Sequence, residues 1–444
     1  MNNKVRARRL TGWKATAAVA MSNYIDSGSI IAIAATLTFW RARYFPANTG
    51  DVTSWLTSFS SNAFGAAIGA AIGGPLVDKY GRKTLYTYDL LVYALGGLFV
   101  VCAVNLEMLF AGFVIIGLAV GASVPAGWTY IAEFASPKRR GRNVGATQLA
   151  WSLGPFIGFG IAVVLAPLKL EGARIMFGWL VAVALITWWI RQGLDESERW
   201  QDAKGGAEAK PPRIWTSMRG LFTRKVNITA LVFLIAVYMC WNQAASQNGI
   251  FLPTILGHIG YDPTDADLFS MLSWGVVILS TLAFMAWVDK FSYRWFFFIG
   301  ALLELAAWFI LVYGASTAAS TAFLYTIIWG LGAGPSAQAF YSIWSPELFA
   351  TPYRAGAQGV MFFIVRAASG GMSFVFPVIL ATHDGLMKDG WILIVFLFAS
   401  LLIGTIWTPK TQGKSLEEIE RERYGEIVDI KELESEQEAV LTGS

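Results

Sequence analysis

Twelve long apolar stretches, separated by short polar ones, run the length of this chain. They fall near residues 14–39, 52–75, 84–104, 107–129, 143–167, 172–190, 226–252, 266–287, 295–313, 321–344, 356–380 and 390–408. Roughly 20 apolar residues cross the hydrocarbon core as a helix, so each stretch predicts a transmembrane helix and the fold is expected to be all-α and polytopic. Internal Gly and Pro are tolerated in such helices where neighbours re-satisfy the backbone. The polar segments divide the chain into a six-span unit over 1–190, a linker over 191–225, a second six-span unit over 226–408 and a tail over 409–444. The linker holds Gly205-Gly206 and Pro211-Pro212, and part of 213–222 reads as an interfacial helix. In the tail, Ser415 followed by Glu418 is a capping-box pattern opening a charge-rich run, expected to be a solvated helix.

The two units echo each other. Glu133 precedes Arg140 by seven residues, and about 214 residues further on Glu347 precedes Arg354 by the same step. Val77-Asp78-Lys79-Tyr80 returns at nearly that offset as Val288-Asp289-Lys290-Phe291. Repeats this far apart, each flanked by apolar spans, describe homologous halves related about the membrane normal. That architecture belongs to carriers, with the transported molecule held between the halves near the midplane.

Charge orients the chain. Lys4, Arg6, Arg8 and Arg9 precede span 1, Lys79, Arg82 and Lys83 follow span 2, and Lys138, Arg139, Arg140 and Arg142 follow span 4. The opposite loops hold only Arg41, Arg43, Lys169, Arg174 and Lys388. By the positive-inside rule both termini are cytoplasmic. The net charge of +4 expresses that asymmetry and gives no reason to expect nucleic acid as a partner. The first span is too long, and lacks the cleavage site, for a removable signal peptide. Cys102 and Cys240 lie in different spans, which gives neither a disulfide framework nor metal spacing. There is no phosphate-binding Gly-x4-Gly-Lys-Ser/Thr loop, and His258 and His383 fall in expected outer loops. An enzyme is therefore disfavoured, and no cofactor or metal is expected.

Asp26 lies in the middle of span 1, next to Gly28. Intramembrane carboxylates are costly and mark function by default. Removal from water favours the neutral form of an acid, so such a residue can take up and release a proton, as a proton-coupled carrier requires. The plainer alternative is a structural Asp at a local helix break with Ser27 or Ser29. Gly65, Gly69 and Gly73 form a small-residue strip on span 2, a packing feature that also permits sliding between halves. Trp13, Trp40 and Trp407 read as interfacial, whereas Trp151, Trp274, Trp308 and Trp329 sit deeper, lining a cavity or packing in the core. Gln243 and Gln247 share a helix face at the i, i+4 step, with Asn242 and Asn248 beside them.

Several motifs resemble those of one family. Gly74-Pro75-Leu76-Val77-Asp78-Lys79-Tyr80-Gly81-Arg82-Lys83 resembles the loop 2–3 signature of the major facilitator superfamily. Tyr130-Ile131-Ala132-Glu133 with Pro137 and Arg140-Gly141, Leu194 through Trp200, Ser345-Pro346-Glu347 through Arg354, and Pro409 through Glu418 resemble four further signatures of its sugar porters. Asn23 through Ser29 and Tyr88-Asp89-Leu90-Leu91 are similar to a bacterial branch of inositol-type transporters. The resemblance implies two six-helix pseudo-symmetric bundles, alternating access, a sugar or polyol substrate and a proton-coupling Asp at position 26. It implies a substrate-binding Gln at Gln148. It also implies that Asp78, Arg82, Glu133, Arg140, Glu196, Glu347 and Arg354 form a cytoplasmic gate of ion pairs between the halves.

The chain departs from the family's pattern at three places. Coupled sugar porters pair the span 1 Asp with an Arg in span 4, and here that position is Phe113. The Gln-Gln-x-x-Gly-x-Asn run of span 7 is shifted in register, and in span 10 Gly334-Pro335 is followed by Ser336, Ala337 and Gln338. Asn242, Gln243, Gln247, Gln338 and Tyr341 stand as candidate ligands, with helix–helix hydrogen bonding as the competing role of the polar residues. Arg366, deep in span 11, has three readings: a counter-ion to Asp26, a clamp on an anionic substrate, or a partner of Glu304. The expected function is secondary transport of a cyclic polyol or monosaccharide with protons, or of a sugar acid if Arg366 is a clamp. The expected setting is a monomer in a bacterial inner membrane, surrounded by lipid.

Overall fold

The computed structural model describes residues 13–44, 51–59, 63–134, 140–193, 214–314 and 319–428. These are helical apart from short turns, with no strand among the described residues. The first half contains α1 (Trp13–Tyr44), α2 (Asp51–Ser58), α3 (Phe64–Tyr80), α4 (Arg82–Val101), α5 (Leu106–Phe134), α6 (Arg140–Leu165) and α7 (Lys169–Arg191). A short α8 (Ile214–Thr223) leads into α9 (Lys225–Ile259), α10 (Pro263–Trp287), α11 (Tyr293–Tyr313) and α12 (Ala319–Ala333). Then come α13 (Ala337–Glu347), α14 (Arg354–Leu380), α15 (Gly385–Ile406) and α16 (Leu416–Tyr424).

Eight stretches are individually long and apolar enough to cross a membrane, and one of them, Gly141–Arg191, folds into α6 and α7. Three further crossings complete twelve. One is α1, whose middle carries Ser22, Asn23, Asp26, Ser27 and Ser29, all buried. The other two are each covered by a pair of helices, α2 with α3 and α12 with α13. Span 10, expected to be continuous, breaks at Gly334-Pro335-Ser336, because Pro335 has no N–H to continue the ladder. The carbonyl freed at Leu331 accepts Ser280 Oγ at 2.6 Å. At this break α11 approaches so closely that a β-carbon on Gly300 would lie 2.7 Å from Pro335 O.

The packing repeats as the sequence does. Within the first half α1 packs on α6 and α7, α3 on α5, and α4 on α5 and α7. The second half reproduces each pair: α9 on α14 and α15, α10 on α12, and α11 on α12 and α15. Across the halves the principal contacts are α3 with α14 and α6 with α10, again mirror partners. This is the major facilitator arrangement of two six-helix bundles. Large apolar side chains such as Val164, Leu279 and Val395 remain exposed on its outside, as helices that face lipid require.

The glycine strip packs inside one half. A β-carbon at Gly69 would lie 2.2 Å from Leu118 O, and one at Gly73 would lie 2.6 Å from Ala122 Cα, both on α5. The approach between halves uses a different pair, Gly74 of α3 and Gly359 of α14.

The tail helix differs from the solvated helix expected. Its capping box forms, with Glu418 N donating to Ser415 Oγ and Ser415 N to Glu418 Oε2. However, α16 docks on the second half through buried Leu416 and Ile419. Tyr424 OH accepts from Ala350 N and donates to Asn227 Oδ1, and Arg423 Nη2 donates to Val226 O. Burial pushes the Glu420 carboxyl above its ordinary range, and its oxygen accepts from Val428 N at 2.8 Å. One apolar face on a charge-rich helix decided the outcome.

Candidate substrate site

A narrow cavity of about 70 Å³ lies between the halves. From the first half Ser27, Gln148 and Trp151 line it; from the second, Trp241, Asn242, Ser246, Asn248, Trp274, Trp329, Gln338 and Arg366. Amide groups that both donate and accept, beside indole faces, are the chemistry that reads a hydroxylated ring. Of the four deep tryptophans, Trp151, Trp274 and Trp329 line this cavity, whereas Trp308 is fully buried against Tyr325.

The polar face of α9 splits in two. Asn242 lines the cavity while its Nδ2 donates to Ser369 Oγ at 2.9 Å. Gln243 and Gln247 do share a face, but that face turns toward α14 and α15. Gln243 Nε2 donates to Met239 O and borders a separate cleft with Met372 and Phe396. Gln247 Nε2 lies 3.4 Å from Ser373 Oγ. Ser246, one residue before Gln247, reaches the cavity instead. Gln338 follows the span 10 break and its Oε1 accepts Tyr238 OH at 2.7 Å.

An aromatic floor lies beside Gln338 and Arg366. Tyr341 stacks on Tyr238 at 4.0 Å between ring centroids. Trp128 of α5 meets Tyr341, Tyr238 and Phe362 edge-on. Trp128 belongs to one half and its three partners to the other, so this floor must part when the halves separate. Arg366 stands over the Phe362 ring at 4.6 Å.

The intramembrane charges sort themselves. Asp26 is 3% exposed and accepts Ser123 Oγ at 3.3 Å. Arg366 and Asp26 are within electrostatic reach of each other, as are Arg366, Tyr238 and Tyr341. Glu304 is held elsewhere: both carboxylate oxygens accept Trp241 Nε1, at 3.0 and 2.9 Å, and its Cγ would lie 2.9 Å from a β-carbon on Gly332, just before the helix break. Glu304 thus brackets the break and aims Trp241 at the cavity, a role that span 9 sequence alone did not signal. Removing it as Glu304→Leu leaves the buried indole N–H without its acceptor. A loss of about 1–3 kcal/mol follows, expected as a lower unfolding temperature in detergent; an unchanged melting curve would refute this bracket.

At the face bearing the basic loops, the repeated acids meet helix ends. Asp78 Oδ2 accepts Gly356 N at 2.5 Å, in the first turn of α14 across the halves. Its repeat partner Asp289 sits by the first turn of α6, where a β-carbon on Gly141 would lie 2.7 Å from Asp289 Oδ1. A carboxylate at a helix N-terminus is favoured by the unsatisfied N–H groups and the helix dipole. Asp289 was legible in the repeat, though not as a gate residue. Arg354 is buried, with Nε donating to Pro346 O at 2.8 Å and Nη2 to Phe349 O at 3.2 Å, and Glu347 is buried nearby. Glu196, and the side chains of Arg82, Glu133 and Arg140, lie outside the described residues.

The family is shown by comparison. The family model for "Sugar (and other) transporter" matches residues 14–211 and again 208–422, and the chain belongs to that family of membrane transporters. It is 38% identical over 419 residues to the minor myo-inositol transporter IolF of Bacillus subtilis, covering 93% of this chain and 94% of that protein. It is 26% identical to the glucose transporter GlcP of Staphylococcus epidermidis, over 82% and 88% of the two chains. Among solved structures, the proton:xylose symporter XylE bound to 6-bromo-6-deoxy-D-glucose superposes with a TM-score of 0.78 at 18% identity, over 91% of this chain and 98% of that one. The protein is therefore a multi-pass transporter of the major facilitator fold, not an enzyme.

Proposed function

We propose that this transporter carries a cyclic polyol of the myo-inositol kind together with protons, by alternating exposure of the central cavity. The reading rests on one juxtaposition: a buried carboxylate, Asp26, beside a cavity lined by amides and indoles. The inositol-transporting relative supports the substrate class. In this reading Gln148, Asn242 and Gln338 bind hydroxyls at the cavity, and Gln243, Gln247 and Tyr341 hold the helices that carry them. Asp26 takes the proton, with Arg366 as its counter-charge from the other half. The moving bodies are 1–190 and 226–408, joined by 191–225, with the basic face and both termini cytoplasmic. Asp78, Arg82, Glu133, Arg140, Glu196, Glu347 and Arg354 form the gate on that side. The protein works as a monomer in a bacterial inner membrane.

The test is uptake of labelled myo-inositol into proteoliposomes with and without an inward proton gradient. Stimulated uptake is expected, and none by a folded preparation would refute the proposal. A second reading draws on Arg366 lining the cavity: an intramembrane cation facing a substrate suits a sugar acid. Competition distinguishes the two, because excess hexuronate should block uptake in the second case and leave it nearly untouched in the first.

A further inference from the structure

The first half contains a buried ion pair that the reading above does not use. Asp89, on α4, and Arg191, at the end of α7, approach at 3.6 Å, each side chain 1% exposed. Arg191 also reaches α1: its Nε donates to Ala18 O at 2.9 Å and its Nη2 to Ser22 Oγ. Its guanidinium lies 4.4 Å from the Tyr86 ring centroid. Ser22 is one helical turn before Asp26 on the same face of α1. Asp26 in turn feels the charges of Asp89 and Arg191 from its own half and of Arg366 from the other. Meanwhile Phe113, where coupled porters carry an arginine, is buried against Phe177. The first half has its cation after all, delivered from α7.

We propose that Asp89 and Arg191 form, with Asp26, the coupling unit of the first half: Asp89 holds Arg191 while Asp26 carries its proton, and Arg191 turns toward Asp26 when that proton leaves. This rests on the proton-coupled reading above. Charge counting shows why the unit couples to motion. With Asp26 ionised, two carboxylates share one local guanidinium, leaving one negative charge that Arg366 of the opposite half can offset. With Asp26 protonated, the Asp89–Arg191 pair is balanced alone, and the half no longer needs Arg366. Protonation thereby loosens the electrostatic tie between halves, and loss of the proton restores it. Only a proton moves, between Asp26 and water. Arg191 is faced by Asp89 and Tyr86 from α4 and by Ser22 from α1, and Asp26 by Ser123 from α5. A buried ion pair is weak evidence for a stabilising role, which leaves a use in switching as the better account.

The experiment compares gradient-driven uptake with substrate counterflow, which needs no proton gradient, in full-length protein reconstituted across a pH series. Asp89→Asn should cut driven uptake by about tenfold or more and displace its pH profile, with counterflow within about threefold of wild type. Because breaking one partner can unfold a buried pair, the double variant Asp89→Asn/Arg191→Gln is measured beside it. It should keep counterflow and still lack driven uptake. If Asp89→Asn matches wild type in both driven uptake and pH profile, or the double variant regains driven uptake, the pair is structural and the proposal is overturned. If wild type itself shows counterflow without gradient stimulation, it is the proton-coupled reading that fails.

Discussion

Asp26→Asn abolishes gradient-driven accumulation and leaves exchange intact: this is the largest effect expected of any single substitution. Asparagine keeps the shape of the side chain and can still accept the hydroxyl of Ser123, which lies 3.3 Å from Asp26 Oδ2. Packing of α1 against α5 and α6 is therefore preserved. What disappears is a charge that alternates between two values inside a site 3% exposed. A full charge at membrane depth is worth about 2.5–3.5 kcal/mol, so removing it shifts a two-state balance by roughly a hundredfold. Driven uptake in proteoliposomes should fall by that order, while counterflow of labelled substrate stays near wild type. Accumulation against a gradient by the variant would exclude Asp26 as the coupling group.

The second large effect is expected at Gly359→Val. Here α14 approaches α3 backbone to backbone, and a β-carbon would lie 2.7 Å from Ala70 O and 3.0 Å from Gly74 Cα. Neither neighbour is a side chain that can swing aside. Overpacking of this kind costs about 1–3 kcal/mol, and it falls wholly on the arrangement in which the two halves meet at this point. The population of that arrangement should drop by roughly five- to a hundredfold, slowing transport correspondingly. A cysteine placed in the cavity by Ser246→Cys should become more reactive from the basic face. Unchanged labelling and unchanged transport would mean that α3 and α14 do not close on each other during the cycle.

Much of the fold was legible because membrane crossing imposes a length and a composition. The twelve apolar stretches and the repeated acid–arginine step are direct records of those demands. The interruption at Gly334-Pro335 was visible in composition, but whether Pro kinks or parts a helix depends on neighbours such as Ser280 and Glu304. At the cavity, Gln148, Asn242, Gln338 and Arg366 were named from sequence and line it. Gln243 and Gln247 illustrate the limit: helical spacing groups residues on a face without saying which neighbour that face meets. By sequence Arg191 falls at the first position of the linker, at the end of a span. Only the fold turns it inward against α1, where Asp89 waits on a helix remote in sequence.

The mirrored arrangement of Asp78 with Gly356 and Asp289 with Gly141 makes a genetic forecast. In each, an acid of one half faces the start of a helix in the other, opposite a residue with no side chain to lose. Substituting either glycine places a β-carbon within about 3 Å of the carboxylate oxygen. A selection for carriers stuck facing the basic side should therefore return four positions, related in pairs by the internal duplication. A revertant of a lesion in one pair could arise by strengthening the other. Two copies of one ancestral latch would then behave as separable alleles of a single trait.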